Sequence, residues 1–214
     1  LQGPAASSLL GSLMPELSDM QSMQVRSAAI QGVYVSTTGY TGAGGFELFG
    51  AAEAIIDLWD RLLLEGKDYG IEPIGLGARD TLRLEMGFAL YGHELSNELA
   101  PTESVSAWTV KWNKPWFLGK EALEALEKSK SKRHAYGVVF HDKGIPRQGC
   151  PVIKEGRIIG EVTSGSFSPT LGKGIALILV HELLEVGNEV DIQVRQSNCR
   201  GEVSPLPFLK KLKV

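Results

Sequence analysis

The stretch after Arg133 constrains the fold most, because it consists of short apolar runs punctuated by glycine with almost no helical period. Candidate strands fall at 135–140, 152–154, 157–163, 175–180 and 189–195, and Glu155-Gly156 reads as a tight hairpin turn between two of them. Five or six short strands at close spacing bury their apolar faces only by closing on one another. The expectation for this half is a small antiparallel barrel or sandwich.

The preceding half reads differently. Pro4 suits a first helical turn, residues 5–13 are good helix formers, and Pro15 stops them. Residues 14–28 carry no clear period. From Ile30 the pattern turns to strand, with Val33 and Val35 alternating with Tyr34 and Ser36; a glycine-rich turn over 39–45 and a second strand over 46–49 complete a hairpin. In the helix predicted for 51–65, Ile55, Leu58, Trp59, Leu62 and Leu63 form one apolar stripe, with Asp57, Asp60 and Arg61 on the wet side and Gly66 as a left-handed stop. Shorter helices follow at 78–86 and 120–127, and the charged run 128–133 reads as an interdomain linker. The fold class is therefore α+β, with a lobe of mixed sheet and helices over 1–132 and a small antiparallel β domain, barrel or sandwich, over 133–214.

Composition narrows the function. Apolar residues make up 43% of the 214 and the net charge is −3, so no basic field is available to hold a nucleic-acid backbone. The lysines at 128–132 and 210–213 read as a solvated helix end and tail. Cys150 and Cys199 form neither a CxxC zinc motif nor a disulfide framework, which fits a reducing cytoplasm. No apolar run is long enough to cross a membrane, and no secretory signal is present. Leu1 is not a methionine, and Leu1-Gln2-Gly3-Pro4 reads as a strand end entering a helix, the start of a fragment.

Two segments invite chemistry. In Gly39-Tyr40-Thr41-Gly42-Ala43-Gly44-Gly45-Phe46-Glu47, four glycines let the backbone turn sharply and come close to a ligand. Glu47 beyond them is placed to accept two parallel hydrogen bonds from a planar N–H/NH₂ edge; a plain hairpin turn with an exposed glutamate fits the same spacing. In the segment 75–85, Arg79 and Arg83 lie four apart, and Arg79 in the first helical turn opposes the helix dipole. Its anionic partner is either a ligand carboxylate or Glu47 or Glu85. His93-Glu94 lacks a second histidine at helical spacing, so no metal site is read. No GxSxG elbow exists, and Ser164-Gly165-Ser166 reads as a strand end, not as part of a nucleophilic triad. Trp108, Trp112 and Trp116, spaced by four, would line one helical face as packing groups.

Taken in order, these segments resemble one family, the T-protein aminomethyltransferases of the glycine cleavage system. The matches are the GYTG…E run over 39–47, GLGARDTLRLE over 75–85, YGHEL over 91–95, Pro101-Thr102-Glu103 before Trp108, Phe117-Leu118-Gly119-Lys120 with Ala122-Leu123, Arg147 with Gly149, and VTSG…SP over 162–169. The resemblance runs from Leu1 to Phe208 and looks like the C-terminal portion of such an enzyme. It implies a folate-binding lobe followed by a small barrel, with Glu47, Arg79 and Tyr40 at the folate site. It also implies transfer of a methylene carbon from the aminomethyl-lipoyl arm of H-protein to tetrahydrofolate, with release of ammonia. Tetrahydrofolate is then a substrate, lipoylated H-protein the partner, and the location cytoplasmic, with no nucleic acid or membrane involved.

The chain departs from the family pattern where Ala43 and Gly44 replace two acidic residues and Phe88 stands in a common tyrosine position. The family's catalytic aspartate has no counterpart here, so no catalytic residue is assigned and the fragment alone is expected to be inactive. Other members of the superfamily, demethylase-type domains and iron–sulfur-assembly proteins, are the alternatives. The latter carry a KGCYxGQE type of signature that this chain lacks.

Overall fold

The computed structural model describes residues 1–141 and 144–209. The chain forms two compact units, one from Leu1 to Leu82 and the other from Arg83 onward.

The first unit is a helix-packed sheet. Helix α1 (Ala6–Leu13) buries Ala6, Leu9, Leu10 and Leu13. Strands β1 (Val25–Ser27), β2 (Tyr34–Ser36) and β3 (Glu47–Phe49) form a three-stranded sheet in that order, antiparallel throughout. The expected hairpin is β2–β3, with Tyr34 opposite Phe49 and Ser36 opposite Glu47. Strand β1 lies in the stretch where no period was readable; at three residues it is too short to show alternation. Helix α2 (Ala52–Glu65) turns Leu58 and Leu62 into a core made with α1, Val33, Val35 and Phe46.

Two details of α2 differ from expectation. Trp59 is exposed, because the buried stripe is narrow and runs through Leu58 and Leu62 instead. Gly66 is not the left-handed stop: its φ is −79°, a 3₁₀ turn (Gly66–Tyr69) follows, and Gly70 at φ 69° ends it. A side chain at Gly66 would press on Ile71 and Leu9, so packing explains that glycine. Helix α3 (Leu76–Glu85) starts two residues before the expected 78.

The second unit is built on a closed barrel. Its strands are β4 (His134–Phe140), β5 (Pro151–Lys154), β6 (Arg157–Ser168), β7 (Lys173–Val180), β8 (Glu189–Val194) and β9 (Ser197–Ser204). They run in the order β4-β7-β6-β5-β8-β9, all neighbours are antiparallel, and β9 closes on β4. Closure leaves no exposed edge. The Glu155-Gly156 turn has both residues at positive φ (50° and 77°), the geometry a two-residue hairpin requires. Strand β6 runs five residues beyond the expected 163, so Ser164-Gly165-Ser166 lies within it and does not end it. Strand β9 was not read from the sequence; its polar residues Ser197, Asn198, Arg200 and Glu202 hide an alternation that buries Cys199, Gly201 and Val203.

The barrel interior is apolar, filled by Val138, Phe140, Val152, Val162, Ile178, Val180, Ile192 and Val203 among others. Cys199 belongs to that core and Cys150 packs against it. Helix α4 (Lys120–Glu127) matches its expected bounds. In the 128–132 run, Lys132 pairs with Glu127 at 2.7 Å; the lysines at 210–213 lie outside the described residues.

Candidate functional site

Glu47 opens β3 with its side chain exposed, between the buried Phe46 and the half-buried Leu48. The hydroxyl of Thr38 donates to its Oε2, and Thr38 Oγ1 lies 2.9 Å from Ser36 Oγ. Because the Thr38 proton is committed to the carboxylate, Ser36 is the donor in that second bond. A relay Ser36–Thr38–Glu47 thus fixes one carboxylate oxygen across the β2–β3 pair. Burial lowers the pKa of the Leu1 α-amine, while Glu47 nearby pulls it the other way.

The glycine loop between β2 and β3 is packed from within the chain. Gly3 N–H donates to Gly44 O at 2.9 Å and Phe46 N–H to Leu1 O at 2.7 Å, so residues 1–3 run beside 44–46 like a short added strand. A Cβ at Gly39 or Gly45 would collide with Gln2. The close approach that the glycines were expected to give a ligand is, at these two positions, an approach by the protein's own segment.

Arg79 is the fourth residue of α3 and exposed; its guanidinium carbon lies 4.5 Å from the centroid of the Tyr40 ring. The expected partner was an anion. An aromatic face is present instead, and it attracts the cation through its quadrupole. Glu85, one of the two candidate carboxylates, accepts from Ser168 Oγ at 2.5 Å and from Thr170 Oγ1 at 3.2 Å. The structure therefore brings Tyr40 and Arg79 together and joins Glu47 to Thr38 rather than to Arg79.

A buried polar cluster in the second unit was missed from sequence. Arg83 and Glu94 are 1% and 2% exposed and pair at 3.1 Å; Arg83 also donates to Ser164 Oγ at 2.9 Å. The i,i+4 spacing of the two arginines gave no sign that one is exposed and the other buried. His93 Nδ1 lies 2.8 Å from the carbonyl of Thr163 and 3.3 Å from Ser164 Oγ. A carbonyl only accepts, so Nδ1 carries the proton and does not take one from Ser164. Glu94 serves Arg83, not His93. The residues sit together without forming a nucleophilic triad. Among the described residues no group of three or more His, Cys, Asp or Glu side chains is arranged to hold a metal ion.

The tryptophans do not share a helical face. A 3₁₀ turn (Ala107–Thr109) replaces the helix, and Trp108 and Trp116 are each 74% exposed. Asn113 and Pro115 within the run disfavour an α-helix there.

The description "GCVT N-terminal domain" matches residues 1–114, and "Glycine cleavage T-protein C-terminal barrel domain" matches residues 133–210. The chain belongs to the glycine cleavage T-protein family. It is 41% identical over 215 residues to the aminomethyltransferase of Desulforamulus reducens, covering 99% of this chain and 59% of that protein. It is 43% identical over 215 residues to the aminomethyltransferase of Herpetosiphon aurantiacus, covering 98% and 58%. The crystal structure of glycine cleavage system aminomethyltransferase T from Bartonella henselae superposes with a TM-score of 0.87 at 30% identity, covering 98% of this chain and 58% of that one. This T-protein family member thus spans about 59% of the length of the first of these relatives. Among the described residues, no helix is long and apolar enough to cross a membrane.

Proposed function

We propose that this chain supplies folate-binding groups to an aminomethyltransferase of glycine breakdown. On this reading the enzyme moves a methylene carbon from the aminomethyl-lipoyl arm of H-protein to tetrahydrofolate in the cytoplasm, releasing ammonia. Glu47, Arg79 and Tyr40 are the folate-binding residues, and residues 1–132 and 133–214 are the functional domains. No catalytic residue is assigned within the chain.

The observation that carries the reading is the Arg79–Tyr40 stack at 4.5 Å, in the same unit as a carboxylate already fixed on one oxygen by Thr38. A pterin ring presents a planar N–H/NH₂ edge and a flat π face. A carboxylate accepts from such an edge, and a guanidinium–aromatic pair suits such a face. The family names and the 0.87 superposition support the same activity.

Calorimetric titration of the chain with tetrahydrofolate tests the site. Charge-assisted hydrogen bonds contribute about 1.5–3 kcal/mol each, so Glu47→Ala is expected to weaken binding at least tenfold; unchanged affinity would remove the assignment. The activity is tested by replacing the matching stretch of the Desulforamulus reducens aminomethyltransferase with this chain. The hybrid is expected to release ammonia from aminomethylated H-protein only when tetrahydrofolate is present.

A further inference from the structure

We infer that Gln2 is a positioning residue for the folate site, acting through the two ends of the glycine loop; the inference rests on the folate reading above. The side-chain amide of Gln2 reaches both ends. Its Nε2 donates to the carbonyls of Thr38 at 3.2 Å and Phe46 at 3.1 Å, and also to Leu1 O at 3.1 Å. Its Oε1 accepts from Thr41 Oγ1 at 3.0 Å. The two amide hydrogens are shared among three carbonyls, and the amide oxygen accepts one hydroxyl.

The bonded residues flank the groups assigned to folate. Thr38 is the residue whose hydroxyl holds Glu47, and Phe46 is Glu47's neighbour in the chain. Thr41 is Tyr40's neighbour, and its hydroxyl also receives Ala43 N–H at 3.3 Å. One side chain therefore sets the spacing between the loop's entry and its exit, and with it the carboxylate of Glu47 against the ring of Tyr40. Gly39 and Gly45 lack a Cβ where that side chain and its backbone pass. The loop and the Gln2 segment fit as one unit: a Cβ at Gly39 would run into the Gln2 amide oxygen, and one at Gly45 into Leu1 O, coming within 2.7 Å of Gln2 Cα. Gln2 does not touch the ligand on this account. It limits how far the two binding groups drift apart, which lowers the ordering cost of binding.

The test is tetrahydrofolate affinity of Gln2→Glu, relative to wild type at the same pH, between pH 5 and pH 8. Ionised, the substituted carboxyl has no hydrogen to give the three carbonyls and repels them; protonated, it regains a donor with the same reach. The other charged groups nearby, the Leu1 α-amine and Glu47, are unchanged in the variant. The three surrounding carbonyls disfavour the ionised carboxyl and raise its pKa from the ordinary ~4.3. The expected result is therefore at least tenfold weaker binding at pH 8, a loss that shrinks toward the wild-type value as pH falls to 5, with far-UV circular dichroism unchanged. A purely structural role predicts a loss that does not follow that titration, so a flat ratio or wild-type affinity at pH 8 overturns the inference. If Gln2→Glu does not fold, Gln2→Met at pH 7 carries the test, with the same tenfold loss expected and wild-type affinity overturning it. Glu47→Ala, measured alongside, separates the two layers: a loss there with none at Gln2 removes only the positioning role. No loss at Glu47 removes the folate reading and this inference together.

Discussion

Arg83 and Glu94 form an ion pair 3.1 Å apart with almost no exposure to water, and Arg83 extends the pair to Ser164 on β6. Charges taken out of water are costly unless well paired. Arg83 also donates to the carbonyl of Phe88 at 3.1 Å, while Leu90 N–H donates to Glu94 Oε2 at 3.0 Å. Glu94 Oε1 has no protein partner. Removing the guanidinium would strand Glu94 in the interior, so Arg83→Met should cost about 3–5 kcal/mol. The Arg83→Met/Glu94→Leu double variant should recover part of that loss, because neither charge then remains. Urea midpoints of the three proteins check this. A single variant within about 1 kcal/mol of wild type would show that the pair does not hold this region.

Glu103 gives the stability a defined acid limb. Burial raises its pKa, but hydrogen bonds from the Arg133 side chain and backbone and from Ala100 N–H outweigh burial, and the net pKa lies below its ordinary 4.5. The bonds are Arg133 Nε to Oε1 and Nη2 to Oε2, both at 3.1 Å, with Arg133 N–H to Oε1 at 2.9 Å. A carboxylate whose folded pKa is depressed contributes stability that is fully present above its unfolded value and lost as pH falls through the folded one. The contribution is therefore whole above about pH 4.5 and is lost progressively as pH falls from there through the depressed folded pKa. Melting temperature recorded between pH 3 and pH 6 should fall less steeply in Glu103→Gln than in wild type. Parallel acid limbs would rule out Glu103 as their cause.

The barrel was legible because its signal is local. Alternation, short runs and a two-residue turn are all written within a few residues of each other, as at Glu155-Gly156. Strand β9 and the three residues of β1 were lost because one carries polar residues on its outer face and the other is too short to alternate. Glu47 and Tyr40 could be named from the order of segments, but their supports could not. Gln2 lies far from Thr38 and Phe46 in the chain, and the Arg79–Tyr40 stack spans a whole helix and strand pair. Contacts of this kind leave no period in the sequence. Arg83 shows the same limit, since a buried arginine and an exposed one look alike until the partners are known.

Arg79 tests the aromatic half of the site separately from the carboxylate. The Tyr40 ring is half-buried and Arg79 is exposed. A cation–π contact at such a surface site is worth about 0.5–1 kcal/mol, so Tyr40→Leu should lower the melting temperature only modestly while weakening tetrahydrofolate binding by several-fold. Arg79→Ala should weaken it further, because the cation itself is lost. Titrations showing full affinity in both variants would confine any folate contact to Glu47.

Glycines 11 and 160 should respond to the same substitution with opposite signs. Gly11 lies inside α1, and a Cβ there would meet nothing within 4 Å. Alanine at that position should stabilise the protein by about 0.5–1 kcal/mol, because glycine loses more backbone entropy on entering a helix. Gly160 lies on β6 opposite Val180 of β7, where a Cβ would run into the carbonyl oxygen of Leu179 and come within 2.7 Å of Val180 Cα. Both obstacles are backbone in a closed barrel, which has no free edge to move away. Overpacking of this kind costs about 1–3 kcal/mol, occasionally more, so Gly160→Ala should lower the urea midpoint while Gly11→Ala raises it. A neutral Gly160→Ala would mean that β6 and β7 separate more easily at that point than their register allows.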